Sequence, residues 1–126
     1  MKSEKFQKGK SILDKLSPNG SDNILNNMGK FSPDMAEYIH EYIFGSLYAR
    51  DGLDLKTKQI ITLTCLAMLG FAKPQLEYHI KVALNLEISR EELIDIFIHT
   101  SGYGGFPVAL NAITAAKEVF EKLDNN

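Results

Sequence analysis

Hydrophobic residues along this chain recur every three or four positions, which is the spacing of one face of an α-helix. In the first 50 residues this pattern predicts three helices, and turn-forming residues at 17–20 and at 29 separate them. Ser32 followed by Pro33 predicts the start of the third helix, because serine caps free N–H groups and proline is tolerated in the first turn. No stretch alternates strictly between apolar and polar residues, so the fold class is predicted to be all-α.

The most apolar stretch, IITLTCLAML, covers residues 60–69. Its length and its Ala, Met and Leu content favour a helix over a strand. A helix that is apolar on every side is buried on every side, so Cys65 is expected to be a buried, structural thiol. A chain of 126 residues has few other helices to cover it. We therefore expect a homo-oligomer, with a monomeric bundle as the alternative.

Three further helices are predicted in the last 55 residues. Pro74 opens the first of them. Ser89 and Glu92 have the spacing of a capping box at the start of the second. The segment YGGFP at 103–107 is expected to break that helix sharply, and Pro107 to begin the last one.

Composition narrows the class of protein. The formal charge of −2 argues against non-specific electrostatic binding to nucleic acid. No run of apolar residues is long enough to span a membrane. One cysteine excludes an internal disulfide. Residues 1–126 are expected to form a single domain, and the first residues lack the apolar core of a secretory signal, which favours the cytoplasm.

His79 is the first candidate for chemistry. It lies at the edge of an apolar helical face, and Gln75 projects from the same side one turn earlier. An imidazole there can exchange a proton near neutral pH, with Gln75 orienting the ring or a ligand. A half-buried histidine bonded to a backbone carbonyl is the alternative. His99 could line a cavity or cap a helix end, and His40 is expected at the surface.

The glycine-rich segment and one arginine complete the candidates. Gly104 and Gly105 would let the backbone approach a ligand, with N–H groups facing an anion and Tyr103 adding a hydroxyl. Arg50 could clamp a carboxylate. A tight turn and a surface ion pair are the respective alternatives. No metal site is expected, because no two histidines have helical ligand spacing.

Five segments in order resemble the carboxymuconolactone decarboxylase family. They are FGSLYARDGL at 44–53, LKTKQ at 55–59, QLEYHI at 75–80, EELID at 91–95 and YGGFP at 103–107. The N-terminal residues 1–30 match weakly and read as a helical extension. The resemblance implies a small helical bundle of the alkylhydroperoxidase D-like type that assembles as a trimer or hexamer. It also implies one of two activities, a decarboxylase or a dithiol peroxidase.

The peroxidase branch would need a Cys-x-x-Cys pair four and seven residues before His79. Those positions hold Gln75 and Ala72, and the branch's supporting glutamate falls near Gln59. Because a dithiol cycle needs two thiols, the peroxidase activity is disfavoured.

The decarboxylase branch implies a small carboxylated substrate and no cofactor, since a conjugated carbonyl accepts the electrons. On this hypothesis His79 is the general acid, and Tyr103 with the Gly104–Gly105 backbone polarises the carbonyl. Arg50 anchors a carboxylate, and Gln75 and His99 contact the substrate.

The hypothesis requires His79 to meet the corner at Gly104 in one cleft. Lys58 and Gln59 depart from the Arg-Glu-like pair of the family, and so does Asn85-Leu86-Glu87 from its Asn-Gly. A different substrate or a non-catalytic helical oligomer therefore stays open.

Overall fold

Every regular element of the protein is a helix, as the all-α prediction requires. The computed structural model describes residues 1–126. In chain order the helices are α1 (Glu4–Leu16), α2 (Gly20–Asn26), α3 (Met28–Phe31), α4 (Pro33–Tyr38), a π-helical segment (Ile39–Leu47), α5 (Leu55–Leu69), α6 (Lys73–Asn85), α7 (Arg90–Gly104) and α8 (Phe106–Asp124). The chain divides into two compact units, Met1–Leu55 and Lys56–Asn126. The single-domain expectation stays a prediction.

In the first unit, α1 packs against the π-helical segment at two glycines. A Cβ atom at Gly9 would collide with the carbonyl oxygen of His40, and one at Gly45 would collide with the carbonyl oxygen of Lys5. Glycine ordinarily weakens a helix by about 1 kcal/mol relative to alanine. Here its missing side chain lets two backbones touch, which explains a glycine in the middle of α1.

His40 is buried in this unit, so the expectation of a surface position is wrong. Its ring stacks on Phe6 with 4.4 Å between centroids, and its Nε2 lies 2.8 Å from the hydroxyl of Ser21. Its Nδ1 lies 2.7 Å from the carbonyl oxygen of Ala36. Both ring nitrogens are thus satisfied inside the unit, which allows a polar ring to be buried. The neighbouring glutamates at 37 and 41 had suggested solvent.

The predicted helix starts are confirmed. The Ser32 hydroxyl accepts from the N–H of Met35 at 3.4 Å, with Pro33 in the first turn. The Ser89 hydroxyl accepts from the N–H of Glu92 at 3.0 Å, and the Glu92 carboxylate accepts from the N–H of Ser89 at 2.9 Å. These contacts satisfy N–H groups that have no partner within the helix.

Helix α5 spans the predicted apolar stretch, but it is not buried on every side. Its buried residues are Gln59, Leu63 and Ala67, which are four apart and therefore share one face. Ile61 and Leu69 are exposed, at 47% and 53%. Cys65 is also exposed, which corrects the expectation of a buried thiol. The reason is geometric, because residue 65 projects from the side opposite Leu63.

The buried face of α5 belongs to the core of the second unit. Helices α6, α7 and α8 contribute most of the other core side chains, among them Leu76, Ile80, Leu93, Phe97 and Val119. No helix combines the length and the apolar character that crossing a membrane requires. The cytoplasmic location stays a prediction.

The break between α7 and α8 is shorter than predicted. Tyr103 and Gly104 still belong to α7, and α8 begins at Phe106. Gly105 alone separates the two helices, with a φ of 93° that a side chain would strain. A Cβ atom at Gly104 would instead collide with the side chain of Met68. Gly105 is therefore needed for the turn, whereas Gly104 leaves room for a neighbouring side chain.

Candidate active site

His79 lies on α6 beside the core residue Ile80 and is half-buried. Its ring contacts a glutamine from α5. The Nε2 atom of Gln59 lies 3.0 Å from the Nδ1 of His79 and 2.9 Å from the backbone oxygen of the same residue. Tyr78 adds an edge-on ring contact, with 5.0 Å between centroids. The structure thus holds the imidazole from two sides.

Gln59 reaches His79 because of its place on α5. It lies one turn before Leu63 on the only buried face of the helix, and that face packs in the same core as Ile80. Gln59 is completely buried. A buried amide needs hydrogen-bond partners, and the ring and backbone of His79 supply two of them.

Burial lowers the pKa of His79 to about 4. Removing the ring from water disfavours the imidazolium form, so the ring is neutral at physiological pH. A shifted pKa at a partly open position is typical of functional sites, although structural networks shift pKa values as well.

Gln75 lies one turn before His79, as predicted, but its side chain is exposed. The glutamine that contacts the ring is Gln59, twenty residues earlier in the chain. In the sequence, Gln59 stands out only as a departure from the family pattern. The signal that could have found it is a glutamine four residues before Leu63, on the same stripe of an apolar helix.

Tyr103 and His99 lie together at a second place. Their ring centroids are 5.6 Å apart, and both line a cavity of about 400 Å³. The cavity is bounded by α5 and α7 through Ile60, Thr64, Met68, Asp95, Ile96, His99, Thr100 and Tyr103. His79 is not part of this lining. The link between the two places is α5, because Gln59 bonds to His79 and the next residue, Ile60, lines the cavity.

Arg50 belongs to the first unit, whereas the other candidate residues belong to the second. It lines a cavity of about 340 Å³ together with Lys8, Lys15, Asp51 and Asp54. Positively and negatively charged side chains therefore both line the cavity beside Arg50. Its predicted role as a carboxylate clamp stays a prediction.

Side chains of the metal-ligating types are dispersed through the molecule. No three of the histidines, cysteine, aspartates and glutamates lie close enough together to hold a metal ion. The groups that these two places offer to a ligand are the imidazoles of His79 and His99, the exposed amide of Gln75 and the phenol of Tyr103.

Comparison with known proteins places the chain in a family. The model of the carboxymuconolactone decarboxylase family matches residues 33–118. The 4-carboxymuconolactone decarboxylase of Acinetobacter baylyi is 30% identical over 99 residues, which are 79% of this chain and 73% of that protein. The nitrosuccinic acid decarboxylase of Metarhizium robertsii is 26% identical over 102 residues, which are 81% and 71% of the two chains. A 15.0 kDa protein of Paracoccus denitrificans is 30% identical over 98 residues, or 77% and 73%. This chain therefore belongs to the carboxymuconolactone decarboxylase family.

Proposed function

We propose that this protein is a cofactor-free decarboxylase of a small acid whose carboxylate lies near an electron-withdrawing group. The observation that carries the proposal is the neutral, half-buried imidazole of His79, held by the buried amide of Gln59. Two relatives support the reaction class, since their names describe decarboxylases of 4-carboxymuconolactone and of nitrosuccinic acid. A lactone carbonyl and a nitro group can both accept the electron pair that departing CO2 leaves behind.

Decarboxylation of such an acid needs few groups from the protein. The bond to the carboxylate breaks, CO2 leaves, and the electron pair moves onto an oxygen of the electron-withdrawing group. One proton then adds to carbon. Hydrogen-bond donors aimed at that oxygen would lower the barrier most, because charge develops there. His79 is the proposed donor at that oxygen. Tyr103 lines a separate cavity whose lining does not include His79. Gly104 lies within α7, and the N–H of Gly105 already donates to the backbone oxygen of Ser101, so the glycine backbone is not proposed as a donor.

Substrate binding is proposed to involve the remaining candidates. Arg50, in the first unit, stays a candidate to hold a carboxylate, because its guanidinium can bind two oxygens at once. His99 lines the cavity beside Tyr103, and Gln75 is exposed one turn before His79. Both are therefore accessible to a ligand.

The proposal is tested by CO2 release from 4-carboxymuconolactone and from nitrosuccinate. Wild-type protein is expected to release CO2 from at least one of them. His79→Asn keeps an acceptor near the amide of Gln59 but removes the Nε2 donor, so turnover should fall about a hundredfold or more. Lys81→Ala is the control, because Lys81 is exposed on the same helix and outside the proposed site.

Equal turnover by wild type and His79→Asn would exclude His79 from the reaction. If wild type releases no CO2 from either acid, the decarboxylase proposal fails for these substrates. A non-catalytic helical oligomer would then describe the protein better. Circular dichroism of each variant separates lost chemistry from lost folding.

We further propose that the protein is a homo-oligomer, a trimer or hexamer as in the family it resembles. The support is a set of exposed apolar side chains in the second unit, which includes Ile61, Leu69, Phe71, Phe106 and Leu110. Association would remove them from water, which stabilises an assembly in proportion to the apolar area buried.

Sedimentation velocity tests the assembly. Wild type is expected to sediment as one species larger than 14.1 kDa. Leu110→Glu adds a charge to a side chain that is 63% exposed, so the subunit should fold while the assembly dissociates. Lys122→Glu is the control, because it changes the charge at an exposed position of the same helix that carries no apolar side chain. A wild-type monomer at micromolar concentration would refute the proposal.

A further inference from the structure

The amide of Gln59 makes two contacts through one nitrogen, and together they define its orientation. The backbone oxygen of His79, 2.9 Å away, can only accept a hydrogen bond. The atom facing it must therefore be the NH2 nitrogen, because an amide oxygen there would place two acceptors against each other. The side-chain amide cannot be turned over without losing this bond.

The second hydrogen of that NH2 group determines the state of the imidazole. It points to the Nδ1 of His79, 3.0 Å away. A nitrogen that receives a hydrogen bond must offer its lone pair, so Nδ1 carries no proton. In a neutral imidazole the proton is then on Nε2.

We infer that Gln59 is a positioning residue that holds His79 as the neutral tautomer with its proton on Nε2. Protonation of Nδ1 would bring an N–H against the N–H of the amide. Rotating the amide to relieve that contact would bring its oxygen against the backbone oxygen of His79. Either change, protonation of Nδ1 or rotation of the amide, loses a hydrogen bond of Gln59, which is completely buried.

The electrostatic surroundings agree with this assignment. Burial is the cause that lowers the pKa of His79 to about 4, and the ring's aromatic neighbour is Tyr78. Every buried side-chain nitrogen and oxygen of the protein has a hydrogen-bond partner. Hydrogen bonds to the His79 side chain involve Nδ1 only, so Nε2 is open to solvent or to a ligand.

This tautomer gives His79 a specific role, which rests on the proposed function. A neutral ring with Nε2–H donates a hydrogen bond to the substrate oxygen that becomes negative as CO2 leaves. It does not give the proton away, since that would create an imidazolate. Solvent supplies the one proton that carbon takes up, and the product leaves with one carboxylate fewer. The ring therefore acts as an electrophile and not as the general acid predicted from the sequence.

Nitrogen NMR of ¹⁵N-histidine-labelled protein tests the tautomer directly. At pH 7 we expect a pyridine-like Nδ1 and a pyrrole-like Nε2 for His79. His40 is an internal contrast, because its Nδ1 faces the backbone oxygen of Ala36 at 2.7 Å and must carry the proton. The same spectrum should thus contain one protonated and one unprotonated Nδ1. A protonated Nδ1 on His79, in either a neutral or a charged ring, would overturn the inference.

Two variants separate positioning from packing. Gln59→Met fills a similar volume without a donor, so the Nε2–H preference of His79 should weaken into a mixture of tautomers. Gln59→Glu supplies an acceptor, so a proton should appear on Nδ1. If His79 keeps a pure Nε2–H signal in both folded variants, Gln59 does not hold the tautomer. Should either variant fail to fold, the wild-type spectrum still decides the assignment.

Steady-state kinetics test whether the tautomer of His79 matters for the reaction. Gln59→Glu is expected to lower kcat about tenfold or more, with a smaller change in KM, and to introduce a new ionisation into the pH profile of kcat. If kcat is unchanged although the tautomer has shifted, the ring has no role in the reaction, but the tautomer assigned to the wild type still stands. Absence of turnover in wild type would instead fail the proposed function, and the NMR result would be unaffected.

Discussion

Replacing Gly9 with alanine is expected to lower the free energy of unfolding by about 3 kcal/mol. The new Cβ atom would overlap the carbonyl oxygen of His40, and it would lie 2.8 Å from the carbonyl carbon and 3.0 Å from the nitrogen of Gly45. These are backbone atoms of the π-helical segment. They cannot rotate away as a side chain can, so α1 has to separate from the segment.

Gly102→Ala is the matched control. Gly102 also lies inside a helix, but a Cβ atom there would meet nothing within 4 Å, and its backbone is not in the left-handed region. Alanine should stabilise that helix by about 0.5–1 kcal/mol, because it restricts the unfolded chain. Urea denaturation followed by circular dichroism at one protein concentration measures both. Two variants of equal stability would mean that α1 and the π-helical segment are not in tight contact in solution.

Acid should destabilise the protein through His79 before its carboxylates are protonated. The pKa of this residue is about 4 in the folded chain, against an ordinary value of 6.5. As the pH falls through 6.5, the unfolded chain binds a proton that the folded chain does not. The free energy of unfolding therefore decreases by about 2 kcal/mol between pH 7 and pH 5, and by about 3 kcal/mol once the pH is below 4.

His79→Asn removes this contribution while keeping an acceptor near Gln59. Urea denaturation of wild type and variant at several pH values isolates it, because the carboxylates contribute to both curves. The variant should lose about 2 kcal/mol less stability than wild type between pH 7 and pH 5. Parallel curves would show that the ring of His79 is as well hydrated in the folded chain as in the unfolded one.

The helix boundaries were the most predictable part of the fold. Ser32 with Pro33, and Ser89 with Glu92, mark helix starts through contacts within four residues of the chain. Such contacts depend on local spacing alone. The segment YGGFP was located correctly as a break, but a single positive φ at Gly105 makes the whole connection, and local composition does not reveal which glycine takes it.

Burial was less predictable. Residues 60–69 are apolar almost throughout, so their pattern does not indicate which face meets the core. Packing in the second unit selects Leu63 and Ala67 and leaves Cys65 and Ile61 exposed. His40 was misassigned for the opposite reason, because charged neighbours suggested solvent while Ser21 and Ala36 satisfy the ring inside the unit.

In the candidate site, too, some residues could be proposed from the sequence and others could not. His79 was proposed from its place on an amphipathic helix, and Tyr103, Arg50 and the glycines from their residue types; the resemblance to the family then suggested a role for each. Gln59 was not identified as its partner. Its contact with His79 joins two helices across twenty residues, and only the packing of α5 on α6 brings the two side chains together.

The amino-acid sequence by itself determined the helical class, the capped helix starts and the family, because each of these depends on residue types at short, regular spacing. Only the tertiary structure decided which face of α5 is buried, where the ring of His40 lies, and which nitrogen of His79 accepts a hydrogen bond. Those outcomes depend on side chains from separate helices that must satisfy one another's polar groups once water is excluded.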